Sequence, residues 1–535
     1  METEVQAFYK NKTIFVTGGS GFLGKVVIEK IMRTTEVKRL YILMRPKRGV
    51  EIHERIASWL TDPVFQNLLN VKPNAFECLV PIAGDCAELD LGISEQDRQI
   101  LRNEVQIVIH SAATVRFNEP LHHALDINVR ATRLVMELGK EMQHLESFVH
   151  VSSAFCNSVV SHIQEIYYPE FLSCPAAKVL ELKEQLSNEL LDKMTPAFVD
   201  KFPNTYTYTK ALAEHLVQTE SGDLPMCIFR PGIIIASYKE PVSGWIDNLY
   251  GPISILYAAA FGVMRICRVD VKKEANVVPV DFCANLLIAS VWKTAIDAKS
   301  AKEQNPEQIT QKDGENSRIY SIQKEEEQKT FEKPIYNFVS SEHNPLTWGD
   351  FISKGSDLYP AYPITKMIWF PFLIPTNSQF LYQFLIFFYH VIPGYAIDLI
   401  LRLRGKRPCM VKIYEKIHKN FELLGPFAER NWKFQTTNMQ RLWEHMSISD
   451  RRNYEFDMTK VNWNEYVVRA LAGMRIYLAK EEPGNESIER GKKIRARFEI
   501  LHRLLQVIVC SAGAAILWSV LKLFISFWMN FMTIL

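Results

Sequence analysis

A tyrosine and a lysine that could transfer a proton stand four residues apart in the sequence YTYTK, as Tyr206 and Lys210. On a helix they share one face, so the ammonium can lower the phenol pKa while the phenol donates a proton to a carbonyl oxygen. Tyr208 has no lysine at this spacing. A second hydroxyl beside the carbonyl would come from Ser152 or Ser153, which follow a short β-branched run. The set predicts reduction of a carbonyl group; the alternative is a solvated helix face.

A glycine-rich turn near the start of the chain is of the kind that holds a dinucleotide. The sequence TGGSGFLG at 17–24 follows the strand-like KTIFV and precedes the helix-forming KVVIEKIM. Gly18 permits a tight turn, Gly21 lets backbone N–H groups approach a pyrophosphate, and Gly24 lets helix and strand pack closely. An ordinary strand-to-helix turn is the alternative. We predict cofactor contacts at Thr17, Gly18, Gly21, Phe22, Leu23 and Gly24.

The second strand ends in a cluster of positive charge, where many NAD-binding folds place an acid for the ribose 2′-hydroxyl. Arg45, Lys47 and Arg48 suit a 2′-phosphate, so NADPH is predicted over NADH, and a solvated basic turn is the alternative. Asp85, in IAGDC, fits an acid that contacts adenine, although a capped strand end explains it nearly as well. Ala112, in HSAAT, is small enough to let the cofactor lie close.

Short apolar runs alternate with helical patterns through the first 150 residues. Five of these runs read as strands: Thr13 to Thr17, Arg39 to Leu43, Cys78 to Ile82, Val105 to His110 and Ser147 to Val151. Strands separated by helices form parallel sheets with crossover connections. The fold class predicted is therefore α/β, with a doubly wound parallel sheet that binds a nucleotide.

Composition shifts divide the rest of the chain. Residues 297–333 are rich in Lys, Glu, Gln, Asn and Ser, which predicts a flexible insertion. Aromatic and basic residues dominate beyond residue 360, and a basic stretch precedes an apolar C-terminus. The predicted segments are a nucleotide-binding and catalytic domain at 8–359, a mainly helical domain at 360–475, a basic linker at 476–503 and a membrane anchor at 504–535.

Two segments are apolar enough to meet a membrane. Residues 367–397 carry no Lys, Arg, Asp or Glu, but Pro371, Pro375 and Pro393 argue against one straight spanning helix. This segment is either membrane-dipping or acyl-lining, or it is a buried helix pair. The tail from Leu504 is interrupted only by Lys522 and forms one span or a hairpin, with a buried helix as the alternative. Basic residues precede it, which predicts that the catalytic domain faces the cytosol (Lys492, Lys493, Arg495, Arg497 and Arg503).

Bulk composition excludes several classes of protein. The 535 residues are 47% apolar and 23% charged, which is ordinary for a globular chain. The formal net charge of +2 gives no broad electrostatic case for nucleic-acid binding. The nine cysteines lack zinc-ligand spacing, so no metal site is expected and reduced thiols are predicted.

The motifs taken together resemble the alcohol-forming fatty acyl-CoA reductases, within the extended short-chain dehydrogenase/reductase superfamily. The resemblance rests on TGGSGFLG, LYILMRPKRG, HSAATVRFNE, NVRAT, HVSSAFCN, YTYTKALAE and FRPGIII, and it covers nearly all of residues 8–475. It implies a Rossmann-type NADPH-binding domain, with Arg45 on the 2′-phosphate and Tyr206 and Lys210 as the catalytic pair. Related sugar-modifying enzymes favour Ser153 over Ser152. The remaining implied cofactor contacts are Pro231, Gly232 and Ile233.

The activity implied by this resemblance is reduction of a long-chain acyl-CoA to a primary alcohol, with two NADPH consumed and an aldehyde as intermediate. The implied location is the membrane of the peroxisome or of the endoplasmic reticulum, and the sequence does not choose between them. The alternatives are an aldehyde-forming thioester reductase, a sterol or sugar-nucleotide dehydrogenase, and a non-catalytic cofactor sensor. An apolar second domain fits a lipid substrate better than a sugar, and an intact Tyr206 and Lys210 pair argues against a sensor.

Overall fold

A computed structural model of the protein describes residues 2–304 and 331–534. Most of its strands are short, and the longest, in the first half of the chain, are built from the β-branched and apolar runs noted above. The strands are β1 (Thr13–Thr17), β2 (Arg39–Met44), β3 (Leu79–Ala83), β4 (Ile107–His110), β5 (Ser147–Val151), β6 (His162–Ile163), β7 (Met226–Pro231), β8 (Ile233–Ile235), β9 (Ile266–Arg268), β10 (Val277–Pro279), β11 (Ile335–Phe338), β12 (Ile374–Thr376) and β13 (Lys433–Phe434).

Helices separate most of these strands and account for most of the C-terminal half. They are α1 (Glu4–Tyr9), α2 (Phe22–Thr34), α3 (Ile52–Ala57), α4 (Gln66–Val71), α5 (Glu95–Glu104), α6 (Leu121–Leu125), α7 (Ala131–Glu141), α8 (Ala176–Gln185), α9 (Asn188–Lys193), α10 (Thr195–Val199), α11 (Thr205–Glu220), α12 (Gly251–Ala260), α13 (Val280–Gln304), α14 (Trp348–Leu358), α15 (Gln379–Ile386), α16 (Ile392–Leu403), α17 (Met410–Ala428), α18 (Thr437–His445), α19 (Ile448–Asn453), α20 (Trp463–Gly473) and α21 (Asn485–Ile534).

Seven strands form one parallel sheet in the order β11-β7-β5-β4-β1-β2-β3. The chain moves outward from β1 to β2 and β3, then returns to β4 on the other side of β1. This reversal leaves a crevice at the carboxyl ends of β1 and β4, which is where doubly wound sheets bind their ligands. The predicted fold class is confirmed, because all five predicted strands lie in this sheet.

The main core packs the sheet against its crossover helices. Every residue of β1 and β5 is buried, as expected of a parallel sheet covered on both faces, and the middle of β1 is an uninterrupted apolar run. Phe15, Val108 and Phe148 from three adjacent strands belong to one cluster with Leu212 of α11. Burial of each such side chain stabilises the fold by about 1.5–3 kcal/mol. This packing fixes the strand ends and α11, which carry the candidate site.

The chain divides into two compact units whose limits differ from the predicted domains. The first comprises Met1–Asn248, Lys272–Trp348 and His418–Ala470, and the second comprises Leu249–Val271, Gly349–Ile417 and Leu471–Leu535. Residues 418–470 join the first unit because β13 pairs with β6 and because Phe427, Trp432 and Phe434 pack on Phe155. Residues 249–271 join the second unit, where β9 pairs with β12.

The expected insertion at 297–333 begins later than its composition indicates. Helix α13 continues through Asp297, where Lys293 and Asp297 form an ion pair one turn apart, and it ends at Gln304. Polar residues on an exposed helix face have the same composition as a solvated loop, which explains the difference. Residues 305–330 of the predicted insertion lie outside the described residues.

Two helical runs in the second unit are long and apolar enough to cross a membrane. One is Gln379–Leu403, whose most apolar 18-residue stretch has a mean hydropathy of 1.8, and the other is Asn485–Asn530, where the corresponding value is 2.1. The first joins α15 to α16 through the π-helical turn Phe387–Val391, so Pro393 lies at the start of α16, where its missing N–H costs little. It is largely exposed, so the buried helix pair is wrong. The second is one continuous helix, so residues 485–503 of the predicted linker are helical and no hairpin forms in α21.

Candidate active site

The glycine turn has the backbone geometry of an anion cradle. Gly18 has φ of +74°, and a Cβ there would lie 2.6 Å from the backbone N of Ala112. A Cβ on Gly24 would lie 2.3 Å from the carbonyl oxygen of Gly18, so neither glycine can be replaced without movement. Gly21 is the N-cap of α2 and has no side chain to accept from the first N–H groups of the helix. The positive end of the helix therefore points an uncapped set of N–H groups at the crevice.

Phe22 and Leu23, the next two predicted contacts, begin α2. The Phe22 ring stacks on Trp245, with centroids 5.2 Å apart, whereas Leu23 is buried. Thr17 ends β1, and its hydroxyl bonds His110 Nδ1 at 2.7 Å and accepts from the N–H of Ala112 at 3.3 Å. Thr17 thus ties β1 to the end of β4 and positions Ala112 against the glycine turn.

His110 is a structural group in this arrangement. Its Nε2 atom lies 3.1 Å from the hydroxyl of Thr132, so both ring nitrogens have hydroxyl partners. Complete burial, with the nearby Lys210 charge, lowers the pKa of His110 to about 3, so the ring is neutral. A neutral imidazole bridging two hydroxyls holds the strand ends without adding charge to the crevice.

The basic turn after β2 surrounds a cavity of about 640 Å³ together with the end of β3. Arg45 and Asp85 form an ion pair across it, with 2.7 Å between Nη1 and Oδ2. The other oxygen of Asp85 accepts from the N–H of Ala87 at 3.0 Å, which is the capping role considered as its alternative. Lys47 and Arg48 line the same cavity. Three cations against two acids, Asp85 and Glu88, leave the cavity lining with a net positive charge, which suits a phosphate group.

Tyr206, Lys210 and Ser153 meet at the carboxyl edge of the sheet. Helix α11 starts at the N-cap Asn204, whose side chain accepts from the N–H of Thr207 at 2.9 Å, and this places Tyr206 in the first turn. The Ser153 hydroxyl, just beyond β5, lies close enough to the Tyr206 phenol to favour its ionised form. Burial has the larger effect and raises the pKa of Tyr206 to about 12, so the phenol carries its proton.

Lys210 lies one turn farther along the same face of α11. Its ammonium donates to the carbonyl oxygen of Val151, the last residue of β5, at 2.7 Å. Burial lowers the pKa of Lys210 to about 8, so the group remains mostly charged at neutral pH. This contact ties the lysine to the strand whose continuation carries Ser153.

A buried ion pair supports the site and was missed by the sequence reasoning. Glu214 follows Lys210 by four residues, and Arg230 donates to both of its carboxylate oxygens, at 2.8 and 2.6 Å. Glu214 also accepts from the thiol of Cys156 at 3.1 Å, and so holds the segment that follows Ser153. The strong positive charge of Arg230 keeps the pKa of Glu214 below its usual value despite burial. The sequence signal that could have identified Glu214 is its position four residues after Lys210, which itself lies four residues after Tyr206.

Pro231 ends β7, Gly232 follows it and Ile233 begins β8, beside the loop that carries Ser153. The N–H of Ala154 donates to the carbonyl of Pro231 at 2.9 Å, and the N–H of Gly232 donates to the carbonyl of Phe338 at 2.8 Å. A Cβ on Gly232 would lie 2.5 Å from the carbonyl of Asn276, so this position needs glycine. The three residues thus fix the strand end next to Ser153.

Comparison with known proteins places this site in a family. Two models, both described as Male sterility protein, match residues 16–287 and 389–481. Fatty acyl-CoA reductase wat of Drosophila melanogaster is 38% identical over 98% of this chain and 95% of its own length. Fatty acyl-CoA reductase 2 of Mus musculus is 34% identical over 94% of this chain and 90% of its own length. The chain belongs to the fatty acyl-CoA reductase family.

Solved structures match the reductase in fold. The terminal R domain of the myxalamid biosynthetic pathway has a TM-score of 0.52 and 17% identity, and covers 87% of this chain and 90% of its own. The reductase domain of a Mycobacterium tuberculosis nonribosomal peptide synthetase has a TM-score of 0.53 and 17% identity. This match covers 88% of the present chain and 93% of that domain. The predicted family and enzyme class are confirmed, and the reductase uses a nicotinamide cofactor.

Proposed function

We propose that the reductase converts long-chain acyl-CoA to the primary alcohol with NADPH, releasing CoA and passing through an aldehyde. The observation that carries the proposal is the meeting of the Tyr206 and Ser153 hydroxyls beside Lys210, at the carboxyl edge of a sheet whose glycine turn suits a dinucleotide. The names of the curated relatives support acyl-CoA as substrate.

The cradle fits a nicotinamide dinucleotide. Gly18, Gly21 and Gly24 leave the space and the N–H groups that its pyrophosphate needs, and the basic turn with Arg45 suits a 2′-phosphate. When bound, this cofactor supplies hydride. We therefore propose NADPH as the reductant, with Arg45 and Lys47 on the phosphate.

The protein's own residues supply the protons. The pKa of Tyr206, raised to about 12, keeps the phenol protonated and ready to donate, and the Ser153 hydroxyl lies beside it. Lys210 adds positive charge one turn away, which stabilises the phenolate once the proton has left. In the proposed reaction an oxygen atom becomes negative twice, first on the thioester and then on the aldehyde. The same two hydroxyls can stabilise both charges, so one site serves both reductions.

The product distinguishes the remaining candidates. Purified protein is incubated with palmitoyl-CoA and NADPH, and the extracted lipids are identified. Alcohol supports the proposal; aldehyde alone indicates a thioester reductase that stops early, and no product at all contradicts the proposal. Tyr206→Phe is the inactive control, and Tyr208→Phe removes a hydroxyl from the same helix at a residue that contacts Ser173 and Phe202 instead.

We also propose that α21 attaches the reductase to a membrane of the peroxisome or endoplasmic reticulum, with the catalytic domain in the cytosol. From residue 504 to residue 530 its side chains are exposed and mostly apolar, with Lys522 as the one charged residue, and five basic residues precede that run. The stretch from Leu504 to Leu521 is about 27 Å long at 1.5 Å per residue, which matches the hydrocarbon core. Deletion of 504–535 is expected to leave the activity intact and to make the protein releasable from membranes by a carbonate wash. Pelleting that survives a carbonate wash would contradict this.

A further inference from the structure

The helical run Gln379–Leu403 has its faces reversed relative to a surface helix of a soluble protein. Its outward stripe is aromatic and aliphatic, with Phe380 82% and Leu403 78% exposed. A surface helix normally points its apolar stripe at the core and its polar residues at water. Seven residues at helical spacing form the outward stripe: Phe380, Phe384, Phe387, Phe388, Tyr395, Leu399 and Leu403.

The inward face carries the polar groups. His390 is fully buried, accepts at Nε2 from the N–H of Arg265 at 3.2 Å, and stacks on Tyr414 with 4.7 Å between centroids. Asp398 is 7% exposed and accepts from the N–H groups of Cys409 and Met410, both at 2.8 Å. These hydrogen bonds satisfy the buried polar groups, so the orientation is fixed and the apolar stripe cannot turn inward.

Contacts along its whole length show that this run packs against other parts of the second unit and does not project away from them. Tyr382 and Ile386 pack on Ile266 near one end, and Asp398 caps the start of α17 near the other. The span from 382 to 398 is about 24 Å at 1.5 Å per residue. If this run crossed a bilayer, β9 with its neighbour Arg265 would be drawn into the hydrocarbon, which is costly for irregular backbone and a charged group.

An aromatic cluster links this run to the point where α21 becomes apolar. His502 lies two residues before that apolar stretch, and its ring stacks on Phe370 and Phe372, with centroids 5.3 and 5.0 Å apart. Phe372 in turn meets Tyr389, in the π-helical turn of the run, at 5.6 Å. Aromatic and histidine rings of this kind favour the membrane interface. The run therefore lies at the level where α21 would enter lipid.

Charge at the end of the run fits a lipid headgroup layer. Four exposed cations lie within six residues at the C-terminal end of the run, around Leu403, and anionic headgroups attract such clusters. They are Arg402, Arg404, Lys406 and Arg407.

We propose that the outward stripe of Gln379–Leu403 is inserted into the headgroup and acyl boundary of one leaflet, so that this run lies on the membrane and does not span it. This second membrane attachment would keep the second unit in contact with the leaflet from which the reductase takes its long-chain acyl substrate. The inference rests on the proposed membrane attachment by α21, and neither test below depends on catalytic activity.

The first test is photo-crosslinking of the full chain in vesicles of phosphatidylcholine and phosphatidylserine. The photoreactive residue p-benzoylphenylalanine replaces Phe388 or Tyr395, with Trp518 in α21 as the membrane reference and Ile448, 79% exposed in the first unit, as the control. We expect lipid adducts by mass spectrometry at positions 388, 395 and 518 but not at 448. Lipid adducts at position 518 alone, or a crosslink from position 388 to a second copy of the chain, would overturn the proposal. Lipid adducts at none of the positions would overturn the proposed membrane attachment by α21 as well.

The second test distinguishes a helical run that lies on one leaflet from a run that spans the bilayer. Asn377→Cys places a thiol just before the run, and the native exposed Cys409 lies just after it. A membrane-impermeant maleimide is added outside sealed vesicles, and labelled peptides are mapped. Equal labelling of both thiols is expected for a run on one leaflet. Labelling of only one end would show a spanning helix and contradict the proposal.

Discussion

Replacement of Arg45 by glutamine should discriminate between the two nicotinamide cofactors. The loss of one charge-assisted contact to a phosphate corresponds to about 1.5–3 kcal/mol, and 1.4 kcal/mol is a factor of about ten in affinity. The Arg45 side chain is 58% exposed and already paired with Asp85, so solvent screening places the effect near the lower limit. We expect the KM for NADPH to rise about tenfold, whereas the KM for NADH hardly changes.

Two variants control this measurement, which follows the absorbance of the reduced nicotinamide during turnover of palmitoyl-CoA. Asp85→Asn removes the competing charge but keeps an acceptor for the N–H of Ala87, so the KM for NADPH should stay level or fall. Arg39→Gln removes an arginine paired with Glu104 at the opposite end of β2, and neither KM should change. An equal rise for both cofactors in Arg45→Gln would refute the assignment of the 2′-phosphate site.

Three further outcomes follow from the site. Tyr206→Phe should lower kcat by about 100-fold or more without lowering the melting temperature, whereas Tyr208→Phe should retain turnover. Because burial lowers the pKa of Lys210 to about 8, its ammonium is lost as the pH rises through that value, and kcat/KM should decline there and not near the Tyr206 pKa of about 12. Glu214→Gln leaves a buried guanidinium uncompensated and should lower the free energy of unfolding by about 3–5 kcal/mol in denaturant titrations, whereas Glu189→Gln at an exposed pair should leave it nearly unchanged.

Local patterns carried most of the information on the nucleotide-binding fold. The strands β1 to β5 and the helices between them follow from apolar runs and turn residues that are close in sequence, so their prediction needed no distant contacts. The glycine turn and the YTYTK helix follow for the same reason. Each site residue was identified through its own motif, and the sheet then brought the motifs together.

Contacts between distant segments could not be predicted in this way. The pairing of β6 with β13 joins segments far apart in sequence, and short strands of that kind give no periodic signal. The spacing of α11 marks Glu214, but its partner Arg230 depends on how α11 packs against β7, and no local pattern identifies that residue. Pro393 was interpreted as a helix break, but a π-helical turn precedes it and the helical run continues through it into α16. Pro371 and Pro375 lie before the run begins at Gln379.

The ratio of NADPH oxidised to CoA released shows whether one site performs both reductions. The wild-type protein is given palmitoyl-CoA with NADPH in excess, and both quantities are followed in one reaction with a thiol reagent for free CoA. Because the Tyr206 and Ser153 hydroxyls are proposed to serve both reductions at one site, two NADPH should be consumed for each CoA, with alcohol as the lipid product. A ratio of one, with aldehyde accumulating, would contradict this account.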